Sequence, residues 1–380
     1  MNVFNSLGSN YDLKFALRAL FAQNSKSHKG QLINFLEKKY GGRAILVYKG
    51  REAIGLALEI LKLPKDSFVA INGFTCYAVY KAIDNQGYYT ELLDLPPPDG
   101  GFDLNFSAET LGIAIKRNSK IKVVIIQNTL GYPCDIEKIA KICKEKDLIL
   151  IEDLAHSVGT IYENGKEAGS VGDFVVLSFS QDKIIDTISG GALIIRNKKY
   201  YALALQGDAL QSYQQFLDRL YPILTFTIRK TYSFGFGKLL HFILKFLNLL
   251  SKPMNENYYA KYDLPSWYCS LVLHAFENLK TNLEHRKKIV DIYNSILDKE
   301  ISYPSTLRYC IFVENRKSLI KSLKNKGVHI SDIWYHDVYK SLPNAQKAAN
   351  TILNLPTHRN ISENDARKIA QEINLWMKSQ

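Results

Sequence analysis

The sequence predicts an α/β fold, a mainly parallel β-sheet sandwiched by helices and followed by a smaller α/β domain. Three observations predict it. Short apolar runs rich in Val, Ile and Leu recur at 68–71, 89–94, 123–127, 148–151, 174–179 and 192–195. Helix-forming stretches lie between several of them, notably 136–146. No charged residue interrupts 148–151 or 174–179, as expected of strands buried on both faces.

Taken in order, residues 1–29 read as a polar arm with one short helix. A large domain follows over 30–204, opening with a helix at 31–40, a short strand at 44–47 and a helix of good formers at 51–63. The texture changes over 205–262, a basic apolar helical insertion. Residues 263–380 read as one long helix (265–297) and a small domain with a strand at 308–313, a helix at 316–326 ending before Gly327, and a terminal helix at 363–377.

The 380 residues carry a formal charge of +12, which favours anionic partners such as nucleotides, phosphosugars or acidic lipid headgroups. That charge clusters with apolar residues rather than along a polar stripe, which argues against nucleic acid. Five cysteines are scattered without a CxxC pair, so neither a disulfide framework nor a zinc site is expected and a reducing cytoplasm fits. The first residues show no secretory pattern, and charges break every apolar stretch before it could span a bilayer.

Two short runs carry the chemistry. Asp153 and His156 follow the apolar run 148–151; Ser178 and Lys183 end or follow 174–177. Gly190 and Gly191 come next, so the lysine lies in a tight loop between strands. A carboxylate and a lysine at the ends of adjacent strands are what pyridoxal phosphate needs. The lysine bonds to the aldehyde, and the carboxylate keeps the pyridine nitrogen protonated so that the ring draws electrons. Lys183, Asp153 and His156 are therefore the catalytic candidates, His156 packing flat on a planar ring. Asp153 as a helix N-cap and His156 as a structural loop residue compete with those roles. Gly50 and Arg51 open a helix directly after a strand, where free amides and the helix dipole attract phosphate. Ser178 adds a hydroxyl to the same anion or is simply a strand serine.

These residues resemble the DegT/DnrJ/EryC1/StrS sugar aminotransferases. That family's Asp-x-x-(Gln/His) matches Asp153 and His156, its Ser-Phe-x-x-x-Lys matches Ser178, Phe179 and Lys183, and its Gly-Gly matches Gly190 and Gly191. Its strand-Gly-x-x-Ala matches Gly50 and Ala53, its Phe-Thr matches Phe74 and Thr75, and its (His/Asn)-x-x-Gly-x-Pro-x-Asp turn is met by Asn128, Gly131 and Asp135. Leu353, Leu355, Pro356 and His358 resemble its Leu-x-Leu-Pro-x-His strand. The resemblance implies a fold-type-I pyridoxal phosphate enzyme with a seven-stranded sheet, and adds Thr75 and Asn128 to the cofactor-binding set. It also implies a homodimer that moves an amino group from glutamate to a keto sugar linked to a nucleotide or lipid. Other reactions of the same cofactor, keto-acid transamination or elimination, and a membrane-associated non-catalytic relative are the alternatives. Three positions depart from the pattern. Arg51 stands where Thr or Ser is usual, Cys76 where an aromatic residue is common, and 261–265 lacks the family's Asn-Tyr-Arg.

The insertion has no counterpart in that family. Lys238, His241, Lys245 and Asn248 fall at helical spacing and leave the rest of the surface to Leu, Phe and Ile. Over 214–252 six basic residues face one acidic residue, Asp218. Packing on the body or a second subunit competes with a peripheral contact at the inner face of a membrane.

Overall fold

The computed structural model describes residues 2–98, 103–201, 207–252, 261–299, 301, 303, 305–330 and 341–379; part of the expected insertion lies outside them. Its strands are β1 (Val3–Phe4), β2 (Arg43–Val47), β3 (Phe68–Asn72), β4 (Tyr89–Leu93), β5 (Ile121–Ile126), β6 (Ile149–Asp153), β7 (Phe174–Ser178), β8 (Gly191–Ile195), β9 (Arg308–Phe312), β10 (Val328–His329) and β11 (Ile352–Pro356). The helices of the first half are α1 (Leu13–Phe21), α2 (Lys26–Tyr40), α3 (Gly50–Leu61), α4 (Tyr77–Asp84), α5 (Ala108–Arg117) and α6 (Ile136–Glu145). Those of the second half are α7 (Ser212–Thr231), α8 (Phe236–Phe246), α9 (Ser266–Glu277), α10 (Leu279–Leu297), α11 (Arg316–Asn325), α12 (Pro343–Thr351) and α13 (Glu363–Lys378).

The seven-stranded sheet runs β2-β8-β7-β6-β5-β3-β4. Only β8 is antiparallel to its neighbours. One face buries Ala70, Val124, Leu150, Val175 and Ile194 in a core shared with α2, α5, α6 and α9. The other buries Val69, Val123, Ile151, Val176 and Leu193 against α3 and α4. Residues adjacent in the chain thus go to opposite cores, as the period of two requires. Because β3, β5, β6 and β7 are parallel, their last residues Asn72, Ile126, Asp153 and Ser178 line one edge of the sheet. That edge is where open α/β sheets bind ligands. A separate core joins Ile289, Tyr293, Tyr309, Leu319, Leu355 and Ile369 around the antiparallel β9–β11 pair.

Two expectations change. The long helix expected over 265–297 is two helices, α9 and α10, parted at Asn278. The Asn278 side chain donates to the His274 carbonyl at 2.7 Å and competes with the backbone there. The polar arm is also no loose arm. β1 pairs with β10, and Asn5, Ser9, Asn10 and Tyr11 are buried. The Asn5 and Asn10 side-chain amides and the Tyr11 hydroxyl donate hydrogen bonds inside the protein, and so these residues read as polar in the sequence without being solvated.

Candidate active site

Strand β6 delivers two carboxylates to opposite faces. Glu152 accepts hydrogen bonds from the Tyr162 hydroxyl and the amides of Gly169, Val171 and Gly172, which fixes the loop before β7. Asp153 faces the other way. Its Oδ1 accepts from the Ala155 amide at 3.0 Å and its Oδ2 from Gln127 Nε2 at 3.1 Å. Burial pushes the Asp153 carboxyl above the usual carboxylate range, while the Ala155 amide, Lys183 and Gln127 pull it back. The turn after β6 buries His156, whose Nδ1 accepts from the Leu130 amide at 3.3 Å. Burial, then the cations Lys183 and Arg308, hold that imidazole well below its usual range, so its ring is neutral.

Lys183 lies in the loop between β7 and β8. Burial lowers its ammonium; Cys76, Asp153 and Asp182 raise it, and Arg308 lowers it further. The loop is pinned from below. Asp186 accepts from Asn10 Nδ2 at 2.8 Å, from the Asp182 amide at 2.8 Å, from the Ile188 amide at 3.2 Å and from the Tyr11 hydroxyl. Asn10 Nδ2 also reaches the Lys183 carbonyl at 3.3 Å. Asp182 and Ile188 take left-handed backbone angles, φ 65° and 74°, which this web of bonds sustains.

Gly50 starts α3 hard against the end of β7. A Cβ on Gly50 would stand 2.7 Å from Ser178 Cβ, and one on Gly191 would stand 2.9 Å from the Gly50 amide nitrogen. The first amides of α3, the Ser178 hydroxyl and the glycine pair thus crowd one spot with backbone instead of side chains. Arg51 is the second residue of the helix and half-buried. Thr75 donates its hydroxyl to Gln127 Oε1 at 2.9 Å, so Thr75, Gln127 and Asp153 form one chain of bonds.

Residues 21–236 and 252–374 match the model of the DegT/DnrJ/EryC1/StrS aminotransferase family. The chain belongs to that family.

Its relatives have been described in several bacteria. The GDP-perosamine synthase of Escherichia coli O157:H7 is 29% identical over 197 residues, 50% of this chain and about half of that protein at 52%. The GDP-perosamine synthase of Caulobacter vibrioides is 24% identical over 364 residues, 90% of this chain and 89% of that one. Among solved structures, Helicobacter pylori PseC, an aminotransferase involved in the biosynthesis of pseudoaminic acid, matches with a TM-score of 0.70 at 16% identity. That match covers 97% of this chain and 96% of the other, and it shows the shared fold.

Within this family member, Lys183, Asp153, His156, Thr75, Ser178 and Gly50 lie around the carboxyl edge of the sheet. Asn128 is turned to other work. Its Nδ2 donates to the Tyr162 hydroxyl at 2.9 Å and its Oδ1 accepts from the Cys134 amide at 2.9 Å. Its φ of 48° makes it a turn residue, with both amide groups engaged in the protein. Sequence reasoning missed Gln127, Asn10, Tyr11 and Asp186. Gln127, a buried polar residue one step past β5 on the carboxyl edge, carried a readable signal; Asn10 and Tyr11 lie more than 170 positions from Asp186 and carried none.

Proposed function

We propose that this protein is a pyridoxal phosphate-dependent aminotransferase that moves an amino group from glutamate to a keto sugar carried on a nucleotide. The observation that carries the reading is Asp153, buried at the end of β6 and held by Gln127 and the Ala155 amide, with Lys183 in the loop that leaves the neighbouring strand β7. The relatives named GDP-perosamine synthase and UDP-4-amino-4,6-dideoxy-N-acetyl-beta-L-altrosamine transaminase support the substrate class.

The residues fit this cofactor. The close approach of Gly50 to Ser178 brings the first amides of α3, the Ser178 hydroxyl and Arg51 to the carboxyl edge of the sheet, a donor set that suits a phosphate. When bound, pyridoxal phosphate supplies an electron sink that makes the donor's Cα–H acidic. Asp153 would hold the pyridine nitrogen protonated, with Gln127 and Thr75 aiming that carboxylate. His156, neutral, would pack on the ring. Lys183 would hold the cofactor through its amine and, once that amine is released, would serve as the general acid/base for the donor's Cα proton. Arg51 supplies a phosphate contact where 261–265 lacks the Asn-Tyr-Arg segment. A homodimer with the site near its interface is part of this reading.

Borohydride reduction of cofactor-saturated protein, followed by peptide mass analysis, tests it. A pyridoxyl adduct on Lys183 and conversion of the cofactor to its amine form by glutamate are expected. An adduct elsewhere, or none, overturns the assignment.

A further inference from the structure

Helix α8 and the turn before it carry an apolar surface facing solvent. Phe234 is 85% exposed, Phe246 76% and Phe242 67%, and Phe236, Leu239, Ile243 and Leu247 are exposed beside them. Within α8 only Gly237 and Leu244 are buried. At 100° per residue, Leu239, Phe242 and Phe246 project opposite those two, while Lys238 and Lys245 fall together on one flank. Gly237 fixes this orientation, because it lies so close to α7 that a Cβ would meet the Ile228 carbonyl oxygen at 2.1 Å.

The charge of the unit is one-sided. Asp218, the acidic residue of 214–252, is fully buried and accepts from Tyr48, Tyr268, Gln214 and Ser251. Lys230, Lys238, Lys245 and Lys252 are exposed. The family match stops at residue 236 and resumes at 252, so most of α8 lies outside the matched residues, while 205–236 and 252–262 lie within them. No helix among the described residues is long and apolar enough to cross a membrane, and α8 has 11 residues.

We propose that α8 and Phe234 dock this protein flat on an anionic lipid surface, with the phenylalanines in the interface and Lys238 and Lys245 over the headgroups. A second copy is the poorer occupant. A two-fold contact sets the patch against itself and brings the lysines of both copies together with no exposed acid in 214–252 to meet them. The inference stands apart from the aminotransferase reading, since α8 contributes no residue to the proposed site.

Flotation of the cofactor-saturated protein tests it, with vesicles of phosphatidylcholine alone or mixed with phosphatidylglycerol. Binding to the mixed vesicles, weakened by salt, is expected. Lys238→Gln with Lys245→Gln lowers partitioning roughly thirtyfold, and Phe242→Asp with Phe246→Asp abolishes it. All four sites are exposed, so the melting temperature stays at the parent value. No flotation by the parent overturns the proposal, as does flotation of the aspartate variant equal to the parent's. A change from dimer to monomer in that variant, with no vesicle binding by the parent, reassigns the patch to a contact between copies.

Discussion

Gln127 Nε2 donates to Asp153 Oδ2 at 3.1 Å, one strand over from the carboxylate that it aims. Gln127→Leu removes that donor and leaves Asp153 with the Ala155 amide. We expect the cofactor to load on Lys183 still, with kcat down about tenfold and the donor's KM little changed. Asp153→Asn removes the charge itself and costs about 10²–10³ in kcat. Steady-state kinetics and the cofactor's absorbance distinguish the two effects; equal losses in both variants would contradict a positioning role.

The lowered Lys183 ammonium has a kinetic signature. Attack on the cofactor aldehyde needs the neutral amine, whose fraction grows with pH. Loading of apoprotein should therefore accelerate with pH and level off below the ~10.4 of an ordinary lysine. Stopped-flow absorbance at a series of pH values reads the midpoint.

Gly50 and Ser178 should behave as a coupled pair. Gly50→Ala drives a methyl to within 2.7 Å of Ser178 Cβ and costs about 1–3 kcal/mol, along with much of the cofactor affinity. Adding Ser178→Gly relieves the contact, so the double variant recovers stability that two independent losses would not. Thermal melts of the four proteins complete the cycle.

Asp186, pushed up to about 7 by burial and by Asp182, makes the lysine loop pH-sensitive. Its carboxyl is raised in the folded state above the unfolded value of 3.8. The stability it contributes is therefore full below about pH 4 and lost as pH rises through about 7, up to about 4 kcal/mol in all. The melting temperature of the parent relative to Asp186→Asn should fall between pH 5 and pH 8. Tyr11→Phe, which removes one donor, costs about 1 kcal/mol.

The sheet was legible because each of its strands is a short apolar run, and because β6 and β7 end on the chemically distinct residues Asp153 and Ser178. Lys183 was legible through its local surroundings, the serine before it and the glycine pair after it. Asn128 misled for the reverse reason, since its neighbours match a motif while its side chain turns to Tyr162 and Cys134. The break at Asn278 was hidden in a continuous helical pattern, where one side chain bonded to the His274 carbonyl parts two helices. Nothing local in Asn10 or Tyr11 says that they hold Asp186, because that contact is made by the fold as a whole.

The residues from Val3 to Tyr11 find their partners late. Val3 pairs with Val328, Asn5 donates to the Asn354 carbonyl, the Phe4 carbonyl meets His358, and the Tyr11 carbonyl accepts from Arg229. Val3 is separated from its partner strand at 328 by some three hundred residues, so this pairing closes a very long loop. The loop that carries Lys183 is tied to the same stretch through Asn10, Tyr11 and Asp186, so the far end of the arm and the loop are set by one another.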